Sequence, residues 1–331
     1  MISARGPYFD ELTVGRRFAD APSITLTEGG AATHQAILGD RLRLPLDREA
    51  SGRVTGRPGV AHPAYVWNVA IGQSTVATHH VRANLFYRGL VFGRAPYLGD
   101  TLTTVTEVVG LRENSRRPGR AATGLVGLHI VTRDQHGNGV LDFYRCAMLP
   151  LSDGTVTTEH ADDLDSLGVS SAAVVSDCTA DWDLSSLTLR GPVPRLVAGT
   201  VIEVVGGDVV SSAPELARLT GNVAQVHHDA RAAGGRRLVY GGHTIGLALA
   251  QVARALPQVV TVIGWEGCDH VGPVHEGDTL RSTIEVIALR PRHADLRVRV
   301  TAEAPETRSA SGGRDVLDWR FTALVTEPTD S

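Results

Sequence analysis

The chain contains two copies of one pattern, and no other feature of the sequence limits its fold so tightly. Gly99-Asp100-Thr101-Leu102 returns 178 positions later as Gly277-Asp278-Thr279-Leu280. The strands that follow match to within a residue, Thr106-Glu107-Val108-Val109 against Thr283-Ile284-Glu285-Val286. Val140-Leu141-Asp142 returns as Val316-Leu317-Asp318 at an offset of 176. Gly39-Asp40 corresponds to Gly221-Asn222 at 182, and His62-Pro63 to Gly241-Gly242 at 179. Near-constant offsets mark a duplicated domain. The expected division is residues 1–151, an acidic linker over 152–186, and residues 187–331. The linker carries eight carboxylates from Asp153 to Asp183, and no arginine falls between Arg145 and Arg190. It reads as a solvated connector with one short helix.

Each half has the same coarse order. A short strand comes first, over 16–19 and 201–205, followed by a helical segment with a loop. A strongly apolar helix follows, near 64–71 in the first half and over 244–255 in the second. In the second, Ile245, Leu247, Leu249, Val252 and Leu256 mix with small residues, so the helix is apolar nearly all round and must be buried. Four strands come next, with the alternation seen in 101–105 and 296–300. Hairpin turns are expected at His136-Gly137-Asn138-Gly139 and Ser311-Gly312-Gly313-Arg314. A curved antiparallel sheet wrapped around one helix is the hotdog arrangement. Two in tandem bury their edges by pairing sheet to sheet, so the expected fold is α+β, a double hotdog.

Composition narrows the function by exclusion. The net charge of −4 supplies no field favouring nucleic acid or an anionic membrane. No stretch reaches the roughly 18 apolar residues of a membrane span, and the N-terminus has no apolar leader core, so a cytoplasmic location is expected. Cys146, Cys178 and Cys268 fit neither a disulfide framework nor a zinc pattern and read as buried thiols. His34, His62, His129 and His136 are too scattered to define a metal site, so none is expected. All 32 basic residues are arginine, which removes Schiff-base chemistry and the phosphate-loop lysine.

Chemistry concentrates in the second half, in Gly221-Asn222-Val223-Ala224-Gln225-Val226-His227-His228-Asp229 and in Tyr240-Gly241-Gly242-His243 at the start of the apolar helix. An imidazole such as His227 can take and return a proton near neutral pH. A helix start offers unpaired N–H groups and a positive dipole end, and Gly242 lets a ligand approach that backbone closely. A thioester carbonyl held there is polarised as its α-carbon gains enolate character. In the first half Pro45 stands at the place of His227 and Pro63 at that of Gly242, so the base and the N–H donor are both missing and this copy is expected to be silent.

These residues resemble the MaoC-like, (R)-specific enoyl-CoA hydratases, whose motif reads G-D-x-N-P-x-H-x-D. Gly221, His227 and Asp229 match it; Asn222 replaces the catalytic aspartate and Ala224 the motif asparagine. At finer grain the chain is similar to the mesaconyl-CoA hydratases (β-methylmalyl-CoA dehydratases). That likeness covers Gly99-Asp100-Thr101-Leu102 through Gly110-Leu111-Arg112-Glu113-Asn114-Ser115, Val226-His227, and the run from Leu238 to His243. The resemblance implies reversible syn addition of water to a 2-enoyl-CoA, with coenzyme A as part of the substrate and no separate cofactor. His227, Asn222 and Gly242 are then the catalytic candidates. Asn222 cannot act as a base but can orient water. Asp229 is the nearest replacement carboxylate, and Asp40 would have to reach across from the first half. Tyr240, Gly241 and His243 are expected to line the acyl pocket, and Arg236 and Arg237 to meet CoA phosphates. Two rival readings stand beside this one: a 3-hydroxyacyl-carrier-protein dehydratase, and a non-catalytic thioester-binding protein. A homodimer is plausible.

Overall fold

Among the described residues twelve strands form one continuous antiparallel sheet, and the alternation of their residues explains why it curls around two helices. The computed structural model describes residues 5–169, 177–187, 189, 193–305 and 313–326. In the first half, β1 (Arg17–Phe18) and β2 (Ile24–Thr25) precede the helices α1 (Glu28–Leu38), α2 (Arg43–Leu46), α3 (Arg48–Thr55) and α4 (Pro63–Ser74). The long strands β3 (Ala83–Phe92), β4 (Thr101–Glu113), β5 (Thr123–Arg133) and β6 (Gly139–Pro150) follow. The second half repeats this with β7 (Val201–Glu203), β8 (Asp208–Val209), α5 (Ala213–Leu219) and α6 (Gly241–Ala255). Its long strands are β9 (Val259–His270), β10 (Thr279–Arg290), β11 (His293–Glu303) and β12 (Arg314–Val325).

The strand order is β1-β4-β5-β6-β3-β9-β12-β11-β10-β7, with β2 on β4 and β8 on β10. The halves join where β3 pairs with β9, Tyr87 opposite Cys268 and Leu90 opposite Trp265. Each half thereby covers the edge that the other would leave open. In β4 every second residue is buried over most of its length, from Leu102 to Gly110, and that inward register faces the helices.

The two central helices are the core. All twelve residues of α4 are buried, as are Gly242 to Ala253 of α6. Each fully buried Leu, Ile or Val on them contributes about 1.5–3 kcal/mol. The repeated Gly-Asp turns have one mechanism. Gly99 and Gly277 adopt φ of 99° and 88°, which favours glycine. Asp100 and Asp278 then accept the Tyr97 and His275 N–H groups at 2.8 and 2.9 Å and pair with Arg94 and Arg314.

The hairpin expected at 136–139 joins β5 to β6; the one expected at 311–314 lies partly outside the described residues. The acidic segment is more anchored than its charge pattern implies. Leu164, Trp182 and Leu187 are buried against the sheet and α3, and the Arg292 guanidinium donates to the carbonyls of Thr179, Ala180 and Trp182.

Candidate active site

The two central helices begin differently, and the difference creates the site. At α4 the His62 side chain accepts the Ala64 N–H at 3.2 Å, and Pro63 has no N–H to leave unpaired. At α6 the residue before the helix is Tyr240, and no side chain caps it. The amide N–H groups of Gly241 and Gly242 meet no acceptor among the described residues. A helix start with free N–H groups is a site for developing negative charge.

That start opens on a cavity of about 290 Å³. His227, Asn222, Tyr240 and Gly241 line it, together with Val226, Leu238 and Thr244. His227 ends the short 3₁₀ turn Gln225–His227. Its Nδ1–H donates to the Leu238 carbonyl at 2.8 Å, which fixes the tautomer and leaves Nε2 with its lone pair. Burial pushes this imidazole down to about 4, so it is neutral and able to accept a proton across the physiological range. Asn222 is buried; its Oδ1 accepts the Ala224 N–H at 3.0 Å, so the amide can face only one way. Its Nδ2 has no partner among the described residues. The position that holds a carboxylate in the family motif therefore presents a donor, suited to hold an oxygen rather than to take a proton.

Several expected residues are placed elsewhere. Gly241, not Gly242, lines the cavity; a Cβ on Gly242 would stand 2.0 Å from Asn68 Oδ1 on α4. His243 lies outside the cavity, wholly buried, with both ring nitrogens unpartnered and its pKa pushed down to about 4 by burial. Asp229 is exposed and accepts the Arg231 N–H at 2.8 Å, a turn cap away from the cavity. Arg236 and Arg237 are held by Glu276 and Asp278 instead of facing the cavity. The Tyr240 hydroxyl donates to the Asn68 carbonyl at 3.0 Å, so the ring forms wall while its oxygen is engaged. His228 Nε2–H donates to the Asn222 carbonyl at 2.7 Å and steadies the loop.

Asp40 is occupied as well. His34 Nδ1–H donates to its Oδ2 at 2.6 Å, and His62 Nε2 lies 3.6 Å from its Oδ1. Burial pushes this carboxyl up, but the two imidazoles outweigh burial and hold it below the ordinary range. The scattered His34 and His62 thus meet around one carboxylate, and among the described residues this is the group close enough to share a metal ion. The protonation pattern argues against that use. His62 Nδ1 accepts the Ala64 N–H, so its proton sits on Nε2, and His34 Nε2 accepts from Asn68 Nδ2 at 3.1 Å. The ring lone pairs are engaged, and the set is a hydrogen-bonded carboxylate between two imidazoles.

Sequence reasoning missed the cavity's far wall, which comes from the first half: Val81 to Asn84 and Tyr87 on or just before β3, and Arg145 on β6. It also missed His270 at the end of β9, whose buried Nε2 has no partner and whose pKa burial pushes down to about 4. One signal was available. Phe143, Arg145, Ala147 and Leu149 share the inward register of β6 and are all buried, so a cation sits where a core residue is due.

The equivalent place in the first half is filled. Only about 10 Å³ remains between Pro63, Phe92, Pro96 and Val262. Trp67, Trp265 and Trp319 pack edge to face nearby with centroids 4.9–6.0 Å apart, and Trp319 stacks on Phe321 at 3.9 Å.

No protein-family model matches the chain. It is 30% identical to mesaconyl-CoA hydratase of Cereibacter sphaeroides, over 98% of this chain and 99% of that protein. It is 28% identical to β-methylmalyl-CoA dehydratase of Chloroflexus aurantiacus, over 97% of each. Among solved structures, a Mycobacterium tuberculosis protein essential for bacterial survival during infection, with a double hotdog fold, is 52% identical and superposes with a TM-score of 0.90. That match covers 97% of this chain and 99% of the other. The chain belongs to the MaoC-like double-hotdog family of hydratases and dehydratases that includes mesaconyl-CoA hydratase.

Proposed function

We propose that this protein catalyses the reversible addition of water to a 2-enoyl-CoA thioester of the mesaconyl-CoA type, with a short branched acyl group. The observation that carries this reading is one cavity shared by a neutral His227, with Nε2 free, and the uncapped start of α6. The thioester carbonyl accepts from the free N–H of Gly241 at the uncapped start of α6, which draws electrons from the double bond. Asn222 Nδ2 donates to the water oxygen and orients it. The water oxygen bonds to C3 while one of its protons passes to His227 Nε2. His227 then delivers a proton to C2 on the same face, and the imidazole returns to its neutral form. One base serving both steps is a reason for syn stereochemistry, and it makes a second carboxylate unnecessary. Dehydration runs the same steps in reverse.

The reaction needs no cofactor beyond the coenzyme A of its substrate. CoA-thioester chemistry and three unpaired cysteines suit a reducing cytoplasm. Pairing of two chains is expected as well, and light scattering that returned the mass of one chain would overturn it. The reaction is followed by the loss of enoyl-thioester absorbance on incubation with mesaconyl-CoA. Binding of the thioester with no change in absorbance would favour the non-catalytic reading instead.

A further inference from the structure

Arg145 is a buried cation with no counter-ion among the described residues. It is 3% exposed, on the inward register of β6. Its Nε–H donates to Asn84 Oδ1 at 2.7 Å and its Nη1 to Ser74 Oγ at 3.2 Å. Ser74 Oγ donates in turn to the Ile71 carbonyl. These contacts fix the plane of the guanidinium and leave Nη2 and the second N–H of Nη1 uncommitted among the described residues. No carboxylate among the described residues lies within ion-pair distance of it. A buried charge left so is costly, and its removal from water is repaid only by an opposite charge.

The cavity that Arg145 faces offers none. Its lining includes Arg82, His227, His270, the Asn222 amide and the start of α6, and no aspartate or glutamate. The same positive field lowers the pKa of His227 and of His270, in each case behind the larger effect of burial. The two arginines differ in depth. Arg82 is exposed, at the cavity's outer side, where its Nη1 donates to the Ala232 carbonyl; Arg145 is buried. At the position of Arg145 in the second copy, 176 residues on, stands Phe321, buried and stacked on Trp319.

We infer that Arg145 is the specificity-determining residue of this site and binds a carboxylate carried on the acyl group of the substrate, held in place by Asn84 and Ser74. This rests on the hydratase reading and assigns to the nominally silent half the selection of substrate. A planar guanidinium meets a carboxylate with two parallel N–H donors, which neither a methyl nor an amide can match. The carboxylate of a 2-methylfumaryl thioester sits on C3, so this contact also sets which carbon faces the oriented water.

The test compares mesaconyl-CoA with tiglyl-CoA, in which a methyl replaces the carboxylate, for the native protein and for Arg145→Met. The native protein is expected to prefer mesaconyl-CoA in kcat/KM by at least about a hundredfold, the scale of a lost buried charge contact. Arg145→Met should lose at least about a hundredfold more on mesaconyl-CoA than on tiglyl-CoA. Equal losses on both would overturn the assignment and mark Arg145 as structural or as a general carbonyl donor. Should the variant fail to fold, calorimetry on the native protein decides with unreactive thioesters: succinyl-CoA must bind more tightly than butyryl-CoA, and equal affinity overturns the inference. The two readings fail separately. Turnover of both enoyl thioesters without preference sinks the role of Arg145 alone, whereas tighter binding of succinyl-CoA without turnover of mesaconyl-CoA sinks the hydratase.

Discussion

Asn222 occupies the position where the family motif places a carboxylate, and its two amide atoms have separate jobs. Oδ1 holds the turn through the Ala224 N–H, while Nδ2 is buried and has no partner among the described residues, on a side chain that lines the cavity. Asn222→Ala should therefore lower kcat about tenfold to a hundredfold, the scale of a misplaced reactant, with a smaller change in KM; an unchanged kcat in steady-state assays would remove the orienting role. The identity of this residue was legible in the sequence; the direction of its donor was not, because that follows from a neighbour's N–H in the folded turn. Asp229, Arg236 and Arg237 show the opposite failure. Proximity in sequence to the motif suggested contact with substrate, and local partners claimed them: the Arg231 N–H for the first, Glu276 and Asp278 for the others. Arg145 lies 76 residues before the start of the motif at Gly221 and reaches the cavity through the pairing of β3 with β9. Spacing along the chain cannot show such a contact, although a charge on an inward strand register can flag it.

At the scale of elements, the decisive comparison is between the starts of α4 and α6. The loss of an N–H at Pro63 was visible in the sequence; the capping of that helix by His62 needed coordinates. The close crossing of α4 and α6 also constrains Gly242. A methyl there would press on Asn68 Oδ1 at 2.0 Å, and Asn68 is itself tied to His34. Gly242→Ala should cost about 1–3 kcal/mol, the usual range for overpacking, and lower the melting temperature by a few degrees. An unchanged melt by circular dichroism would show that the crossing has more room than the geometry gives. The His34–Asp40–His62 set makes a separate prediction. Read as a hydrogen-bonded network, it predicts that dialysis against a strong chelator leaves both hydration rate and melting temperature unchanged; a loss restored by one divalent ion would contradict it.

At the scale of the whole molecule, burial pushes the pKa of four imidazoles, His62, His227, His243 and His270, down to about 4 from an ordinary value near 6.5. Between those values the unfolded chain binds protons that the folded chain refuses, so folding loses stability as pH falls through that window. The melting temperature should hold steady from pH 8 to 6.5 and fall steeply towards pH 4, and a flat profile down to pH 4.5 would contradict these burials. The duplication itself was legible, because repeated Gly-Asp turns and strand starts survive in the sequence. The sharing of one cavity between halves was not, since it arises where the two sheets join. His227 and the start of α6 come from the second copy; Asn84 and Arg145 come from the first. The most direct test of the account is the hydration of mesaconyl-CoA by the native protein and by His227→Ala, followed as loss of enoyl-thioester absorbance. The account predicts turnover by the native protein and a fall in kcat of about a hundredfold to ten-thousandfold in the variant, with the melting temperature retained. Equal rates in a folded variant would contradict it.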